Sequence, residues 1–382
     1  MQSKSLYIAE KPSVAKEFAK VLNVGGRASD GYLESADAVE KLIKDADEVM
    51  KDSLGYLKDK ELRRVVVLGS GTSYHGVLGA KISMADSLGI PVESMYPIDF
   101  KDNEIVKQDG TLVIGVSQAG RSTSTIEALK KAKQLGYFTI AVTSEKDTPV
   151  AETADVWMEL YAGEELSGPK TKGFIVTIAQ MAYFAVKLAN SRGTASAEDV
   201  AKVEERLVNS SKNIPDIAEK SKKFIEDNIE ELSSAKRIVI VGCEGNTAAM
   251  MEGALKVLEG VRCSVTGYEL EEFMHGIYHS IWENDYIIYL GKPGQYYDRM
   301  KRMKLYFEKE RTKHSFIITS DEFYKDDKKA FIYPFDNDDY FSSMEYVVPL
   351  QVLTKVVSQH NGIDCNIPSD PEFHKKMGSY QF

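Results

Sequence analysis

Short runs rich in Val and Ile alternate with segments of helical period along the first half of the chain. Such runs are typical of strands that are buried on both faces, and the segments between them indicate βαβ units. The alternation predicts an α/β domain in which helices cover both sides of a parallel sheet. The predicted strands are Val65–Leu68, Val92–Tyr96, Leu112–Val116, Thr139–Val142 and Val156–Leu160.

The second half of the chain repeats this plan. A strand pattern at Arg237–Gly242 leads through a glycine-containing turn, 242–247, into a helix, as the turn 69–73 does after the first strand. An amphipathic segment precedes the first unit, and a polar helical pattern joins the two units. We therefore predict an appended segment 1–36, a first domain 37–195, a helical linker 196–234, a second domain 235–360 and an active-site tail 361–382.

Composition narrows the function classes. The chain has 382 residues, is 43% hydrophobic and 28% charged, and has a formal net charge of −10. The acidic balance and the lack of a basic run exclude a nucleic-acid surface, so local dipoles and hydroxyl groups have to hold an anionic substrate. Three widely spaced cysteines favour a reducing compartment and neither a disulfide framework nor a zinc site. Since the sequence has no signal segment and no apolar run near ~20 residues, we expect a cytoplasmic protein without membrane contact, metal or cofactor.

One stretch carries the clearest candidate chemistry. The strand Leu112–Val116 is followed by a turn rich in hydroxyl groups, Ser117–Ser124, and then by a helix from Thr125. A helix N-terminus offers free N–H groups and the positive end of the helix dipole, which together suit a phosphate. Because the turn 69–73 follows a neighbouring parallel strand, we expect both turns to face one crevice. The alternative is an ordinary N-capped helix without a ligand.

The residues of these two turns resemble a known family. Ser70–Tyr74 (SGTSY) and Ser117–Gly120 (SQAG) are similar to the signatures of sugar isomerase (SIS) domains. Such domains occur in tandem in the isomerase half of glucosamine-6-phosphate synthases and in the related fructosamine-6-phosphate deglycases. The resemblance implies an α/β fold of two doubly wound parallel-sheet domains, each a flavodoxin-like three-layer αβα unit. Ala119 and Arg121 depart from the family pattern, in which Ser and Glu are usual. The ligands of phosphate and substrate that the resemblance implies are Thr72, Ser73, Ser117, Gln118 and Ser122, together with Arg121.

A further stretch of the resemblance precedes a long apolar segment that we predict to be helical. Ala162–Lys172 is similar to the family loop that wraps the substrate, so Thr171 and Lys172 are implied substrate ligands. Pro169-Lys170 replaces the usual Ala-Ser at the centre of this loop. We expect the change to alter which sugar is bound.

Glu252, Lys256 and Glu259 share one face of a predicted helix, because they are spaced i, i+4 and i+7. Such spacing usually marks a surface ion-pair stripe, and a histidine such as His275 is usually a capping or core residue. All four residues nevertheless match in register with the catalytic segment of SIS isomerases. The resemblance implies that Glu259 is the base at C1 and C2, that Lys256 is its electrostatic partner, and that His275 opens the sugar ring. In this family the histidine is supplied by a neighbouring subunit, so we expect a homodimer or higher homo-oligomer with shared active sites.

The end of the chain offers a further lysine. Asp370–Met377 resembles the family's C-terminal loop, whose lysine attacks the ketose carbonyl to form a Schiff base. Lys376 fits that register better than Lys375. The alternative is a solvated basic tail.

Residues 1–36 resemble a different protein class. They match the first strand and helix of the Toprim domain of type IA topoisomerases, with Glu10 at the position of its acidic residue. The paired aspartates of that domain are not recognisable in the rest of the sequence. We therefore expect an appended segment without topoisomerase activity.

Together these observations predict a phosphosugar isomerase or deglycase that acts on a hexose 6-phosphate with nitrogen at C1 or C2, by enediol or enolamine proton transfer. The altered loop and Arg121 favour a substrate other than fructose 6-phosphate. Two alternatives stay open: an ammonia-dependent isomerase that lacks a glutaminase domain, and a phosphosugar sensor without catalysis. The expected partners are the sugar phosphate and further copies of the chain, with neither nucleic acid nor a membrane.

Overall fold

The computed structural model describes residues 34–165 and 167–381. The Toprim-like match lies almost wholly in residues 1–33, outside the described residues, and it stays a prediction.

The first sheet forms from the apolar runs that the sequence pattern identifies. Its strands are β1 (Arg64–Leu68), β2 (Val92–Met95), β3 (Thr111–Val116), β4 (Phe138–Thr143) and β5 (Val156–Glu159). All are parallel, in the order β2-β1-β3-β4-β5, and each differs from its predicted bounds by at most one residue at either end. Every residue of β1 and β3 is buried, which explains why these strands are nearly continuous apolar runs.

Helices cover both faces of this sheet. They are α1 (Ser35–Val49), α2 (Lys51–Leu57), α3 (Thr72–Leu88), α4 (Pro97–Asn103), α5 (Thr123–Gln134), α6 (Pro149–Thr153) and α7 (Lys172–Ser191). Val65 and Val67 of β1 belong to a hydrophobic cluster with α3 and α7, whereas Val66 and Leu68 belong to a second cluster with α4 and α5. Successive side chains of a strand point to opposite faces, so the two clusters are the two layers on either side of the sheet.

Helix α7 forms the centre of the fold. Its residues from Lys172 to Val186 are all buried. By length and composition alone the helix could cross a membrane, but 89% of its most apolar window is buried inside the fold, which is the arrangement of a core helix. Helix α1 packs beside it and buries Val39, Leu42 and Ala46, as the amphipathic pattern of the lead-in segment predicts.

The second sheet has the same topology as the first. Its strands are β6 (Arg237–Gly242), β7 (Ser264–Glu269), β8 (Tyr286–Gly291), β9 (Ser315–Thr319) and β10 (Ala330–Ile332). They are parallel, in the order β10-β9-β8-β6-β7. In both sheets the second strand lies on one side of the first strand and the other three lie on the opposite side. This confirms the prediction of an α/β fold with two doubly wound parallel sheets.

The two sheets share one continuous hydrophobic core. The remaining helices are α8 (Ala197–Lys212), α9 (Ile214–Asp227), α10 (Ile229–Ser234), α11 (Thr247–Val261), α12 (Leu270–Met274), α13 (Tyr297–Glu310), α14 (Ser342–Tyr346), α15 (Val348–His360) and α16 (Phe373–Lys376). Helix α8 packs against α1 and α7, whereas α9 packs against α15. Helix α11 lies against α3, so the helix after β6 meets the helix after β1.

Candidate active site

The two hydroxyl-rich turns lie side by side at one edge of the first sheet. Strands β1 and β3 are hydrogen-bonded neighbours with Leu68 in register with Gly115, so the turns 69–73 and 117–122 leave the sheet together at its carboxyl edge. Ser73 is partly buried at the start of α3. This is the crevice in which open α/β sheets bind ligands.

The loop after β3 has a fixed shape. Ser117 is buried and donates its N–H to the carbonyl of Val142 (2.9 Å), while the N–H of Gly120 donates to the carbonyl of Ser117 (2.8 Å). Gly120 has a φ of +65°, and a Cβ at this position would collide with the side chain of Thr148. Only glycine therefore fits this turn without strain.

The first turn of α5 is capped by a predicted phosphate ligand. Ser122 Oγ accepts the N–H of Thr125 (3.4 Å) and its hydroxyl (3.0 Å), and it lies 3.1 Å from the hydroxyl of Ser124. Arg121, one residue earlier, is exposed. The predicted ligand Ser122 therefore also stabilises the helix as its N-cap.

The C-terminal tail binds the same loop. The N–H of Thr123 donates to the carbonyl of Ser379 (3.1 Å), and its hydroxyl donates to the carbonyl of Gly378 (3.0 Å). Ser122 and Tyr380 pair as an isolated antiparallel bridge. The tail thus occupies one of the N–H groups that the sequence pattern predicts for an anion.

Tyr380 lies in the tail, near Glu259 of the second domain. Its ring stacks on that of His374, with 4.1 Å between the ring centroids. Burial raises the pKa of the Tyr380 hydroxyl, and the nearby carboxylate of Glu259 raises it further. Sequence reasoning missed Tyr380, because only the fold brings the tail onto the loop.

Glu252, Lys256 and Glu259 meet the first domain inside the fold. Glu252 Oε1 accepts a hydrogen bond from Thr72 Oγ1 (3.0 Å), and Glu252 Oε2 lies 2.8 Å from Nδ1 of His75. Lys256 Nζ lies 3.6 Å from Glu252 Oε1 and 2.7 Å from Glu259 Oε2. The side chain of Glu252 is 0% exposed and that of Lys256 2%, so the alternative of a surface ion-pair stripe is wrong. Glu259 is 40% exposed and faces the open side of the cluster.

The cluster holds a protonated lysine among carboxylates. Burial alone lowers the pKa of Lys256, but the carboxylates of Glu252, Glu259 and Glu165 outweigh this effect and the pKa lies above its usual value. Such a cation can stabilise an oxyanion beside a carboxylate base. Within the ranges 34–165 and 167–381, no group of three or more His, Cys, Asp or Glu side chains is arranged to hold a metal ion.

Glu165 is a site residue to which sequence reasoning assigned no role. Its Oε1 accepts the N–H groups of Thr171 (2.5 Å) and Lys172 (2.7 Å) and the hydroxyl of Thr171 (3.1 Å). Its Oε2 accepts a hydrogen bond from Nε2 of Gln118 (3.3 Å). A Cβ on Gly173 would collide with the Gln118 amide, so the helix backbone approaches this side chain closely. Glu165 therefore caps α7 and orients Gln118.

The ammonium of Lys172 has protein partners. It donates to Glu34 Oε2 (3.0 Å) and to the carbonyl of Glu164 (2.7 Å), and the residue is 5% exposed. Thr171, by contrast, reaches the site through Glu165. The structure thus anchors Lys172 to the start of α1, and its role as a substrate ligand stays a prediction.

The other predicted catalytic groups have local partners within the chain. His275 is exposed after α12, with Nδ1 2.8 Å from the carbonyl of Glu271. Lys376 is exposed and paired with Asp370 (2.8 Å), and Lys375 lies 3.6 Å from Glu372. The printed contact of the His275 ring is within its own turn, and no hydrogen bond or ion pair among the described residues joins His275 to Glu252, Lys256 or Glu259. The roles predicted for His275 and for the tail lysines stay predictions.

Comparisons with known proteins agree with this fold. A sequence model of the SIS domain matches residues 57–187. A Clostridium difficile 630 protein of known structure, assigned as a phosphosugar isomerase, has 30% sequence identity, covers 94% of this chain and 99% of its own, and gives a TM-score of 0.85. The chain belongs to the SIS-domain family.

Two further relatives are similar to most of this chain. A Salmonella typhimurium LT2 structure, assigned as a sugar-binding protein, has 27% identity and a TM-score of 0.79, and covers 86% of this chain and 98% of its own. The glutamine–fructose-6-phosphate aminotransferase (isomerizing) of Gloeobacter violaceus is 26% identical over 339 residues, 87% of this chain and 55% of the relative. The chain spans about half the length of the curated relatives it matches. This SIS-domain protein is therefore related to phosphosugar isomerases and to the isomerase half of those aminotransferases.

The equivalent turn of the second sheet is a poorer anion site in this SIS-domain protein. Glu244 has a φ of +53° and its carboxylate lies against Gly294. Burial, followed by the carboxylates of Glu244 and Glu269, raises the pKa of the Cys243 thiol to about 12. Because acidic side chains oppose an anion here, the prediction that phosphate binds to the first domain keeps its physical basis.

Proposed function

We propose that this SIS-domain protein is a phosphosugar isomerase or deglycase that acts on an amino-substituted hexose 6-phosphate. The 3.0 Å hydrogen bond from Thr72 to Glu252 supports this most strongly, because it joins the phosphate turn to the carboxylate–lysine cluster. A sugar whose phosphate lies at Ser117 and Ser122 then extends from the first domain towards groups of the second. Phosphate grip and proton transfer thereby share one crevice.

The proposed chemistry moves one proton between neighbouring carbons. Glu259 removes the proton from C1 of a ketosamine and returns it to C2, and the ammonium of Lys256 stabilises the charge that develops on the oxygen. For a fructosamine-type substrate this shift gives the imine at C1. Water then adds to the imine carbon, and the amine leaves together with an aldose 6-phosphate. The sequence of steps needs no oxidant, reductant or metal.

Local charge supports an amine-bearing substrate. The carboxylates of Glu252 and Glu259 lie 3.6 Å and 2.7 Å from the ammonium of Lys256, and that of Glu165 also raises the pKa of Lys256. An excess of negative charge in a partly buried site favours a ligand with a cationic nitrogen. The altered centre of the loop before α7, Pro169-Lys170, supports a sugar other than fructose 6-phosphate.

Ring opening is assigned to a second copy of the chain in this proposal. His275 is exposed and its ring contacts the carbonyl of Glu271, which fits a group that acts across a subunit interface. The active form is then a homodimer or higher homo-oligomer, and its place is the cytoplasm. Lys376 reaches the ketose carbonyl only after it leaves Asp370, to which it is bound at 2.8 Å.

A phosphosugar sensor is the second candidate. It is favoured by the similarity to the Salmonella typhimurium protein assigned as sugar-binding, and by the tail that covers the phosphate loop. A sensor binds a hexose 6-phosphate without turnover, whereas the enzyme releases a product.

The deciding experiment incubates the protein with fructosamine 6-phosphates, and separately with fructose 6-phosphate and ammonia. The E259Q variant tests the proposed base, and E226Q is the matched control, because Glu226 is an exposed helical glutamate paired with Lys222. We expect product release by the parent protein and by E226Q, and a loss of about 100-fold or more in E259Q. Tight binding without product release by the parent protein would establish the sensor instead.

A further inference from the structure

A buried histidine that the sequence analysis did not select contacts the cluster of Glu252, Lys256 and Glu259. His75 is on the first turn of α3, is 7% exposed, and has Nδ1 2.8 Å from Glu252 Oε2. Sequence reasoning gave it no role, because Glu252 lies 177 residues further along the chain. The described fold therefore supplies an imidazole to the carboxylate–lysine cluster from the first domain of the same chain.

The carboxylate of Glu252 depends on this contact. It is 0% exposed, and a charge that is removed from water requires hydrogen bonds and opposite charge to remain ionised. Thr72 occupies Oε1 and His75 occupies Oε2, so both oxygens are held by the first turn of α3. Lys256 approaches the same Oε1 atom at 3.6 Å and contacts Glu259 at 2.7 Å.

These contacts form one chain of polar groups from α3 to Glu259. The order is His75, Glu252, Lys256 and Glu259, and only Glu259 reaches the open side of the cluster. Without the imidazole, the hydrogen bond from Thr72 to Oε1 is the remaining one to the Glu252 carboxylate among the described residues. The orientation of the carboxylate is then less fixed, and with it the position of the Lys256 ammonium that approaches Oε1.

We propose that His75 is a positioning residue, which holds Glu252 and through it sets the place of Lys256 beside the base Glu259. The inference rests on the proposed function. It assigns to a buried residue of the first domain a part in the proton-transfer step, without contact between the imidazole and the substrate. A residue of this kind affects the rate of the chemical step more than it affects substrate binding.

The chain offers a matched control for the substitution. His314 also forms a close pair with a carboxylate, at 2.6 Å from Glu231 Oε1, and stacks on Tyr286. It lies directly before β9, at the amino edge of the second sheet, whereas the site lies at the carboxyl edges. If removal of a histidine–glutamate pair only destabilises the fold, substitutions at His75 and at His314 have similar effects. If His75 positions Glu252, only substitutions at His75 reduce turnover.

The test compares H75L, H75N and the control H314N in product release from the fructosamine 6-phosphate that the parent protein turns over. An asparagine amide nitrogen takes the place of Nδ1 and restores the donor to Glu252. We expect H75L to lose up to about 100-fold in kcat with little change in KM, H75N to regain most of that loss, and H314N to match the parent. Equal kcat in H75L and the parent would overturn the inference, as would an H75N variant no better than H75L.

A double-mutant cycle separates this inference from the proposed function. The unfolding midpoints of H75L, E252Q and the double variant are measured in urea. We expect clear non-additivity, because the two side chains contact each other. If the parent protein turns over no hexose 6-phosphate, the proposed function fails. If the effects of H75L and E252Q on the unfolding midpoint are additive, the claim that His75 holds Glu252 fails, whatever the turnover.

Discussion

Thr72 and Glu252 are separated by 180 residues, yet the hydroxyl of one donates to the carboxylate of the other across 3.0 Å. Thr72 begins the helix after β1, and Glu252 lies inside the helix after β6. The hydrogen bond therefore joins equivalent parts of the two sheets. A turn suited to phosphate and a buried carboxylate–lysine cluster become one site through this contact, and neither half of the chain forms it alone.

Removal of the Ser122 hydroxyl is expected to weaken both a helix cap and the phosphate grip. In S122A, α5 loses its N-cap, which costs about 1 kcal/mol of the free energy of unfolding. The affinity for a hexose 6-phosphate is expected to fall about tenfold, because a hydrogen bond to a charged group is lost. Calorimetric titration measures the affinity, and S196A is the control, because Ser196 caps α8 away from the site. Equal affinities of S122A and S196A would show that this hydroxyl does not contact phosphate.

Glu165 is expected to stabilise the fold through α7. In E165Q the carboxylate that accepts the N–H groups of Thr171 and Lys172 is replaced by a neutral amide, so the interaction with the helix N-terminus weakens. We expect a loss of about 1–2 kcal/mol in the free energy of unfolding, measured by urea denaturation. E164Q provides the control, since the neighbouring Glu164 is exposed. The interpretation of Glu165 as the helix cap is wrong if the two variants unfold at the same urea concentration.

The tail is expected to compete with free phosphate. The N–H and hydroxyl of Thr123 donate to the carbonyls of Ser379 and Gly378, so a chain that ends at Met377 leaves both donors open. We expect this truncated protein to bind inorganic phosphate about fivefold more tightly, the equivalent of one hydrogen bond of ~1 kcal/mol. Y380F keeps the backbone contacts and is expected to bind like the parent. Weaker binding by the truncated protein would mean that the tail itself contributes phosphate ligands.

Glu345 is expected to make stability depend on pH. Burial is the main cause that raises the pKa of this carboxyl to about 7, and the negative charge of Asp336 also raises it. Hydrogen bonds from the side chain of Asn213 and from the backbone N–H of Asp336 lower the pKa, but by less. The ordinary pKa of a glutamate is 4.5, so between pH 4.5 and about pH 7 the Glu345 carboxyl stays protonated in the folded state and is ionised in the unfolded chain. Stability is lost as pH rises through this window, by about 3 kcal/mol at most.

The E345Q variant tests this dependence. It is expected to unfold at higher urea concentration than the parent at pH 8 and at the same concentration near pH 4.5, because the amide cannot ionise. E205Q is the control, since Glu205 is an exposed glutamate on a different helix, α8. Parallel pH curves for the parent and E345Q would contradict the assigned pKa of Glu345.

Much of the fold could be predicted from the sequence, because parallel strands that are buried on both faces consist of nearly continuous apolar runs. The strands of the first sheet match to within a residue, and the helical spacing of Glu252, Lys256 and Glu259 places them on one face. That spacing does not say whether the face is buried. The packing of α11 against α3 decides this, and it depends on contacts between distant parts of the chain.

The missed residues share one physical reason. His75, Glu165 and Tyr380 act on groups that are far from them in the sequence or that belong to another element, and no local period marks such contacts. A histidine in the fourth position of a helix has the same appearance in the sequence whether it faces water or a buried carboxylate. His275, by contrast, was easy to recognise by motif but lies exposed within its own chain.

The most direct measurement of the central claim is a crystal structure of the protein with a hexose 6-phosphate bound. We expect the phosphate oxygens to lie about 3 Å from the hydroxyl groups of Ser117 and Ser122, and C1 and C2 of the same sugar to face the carboxylate of Glu259. A phosphate bound outside the two turns of the first domain, or a sugar whose C1–C2 edge faces away from Glu259 in every copy of the assembly, would contradict the account.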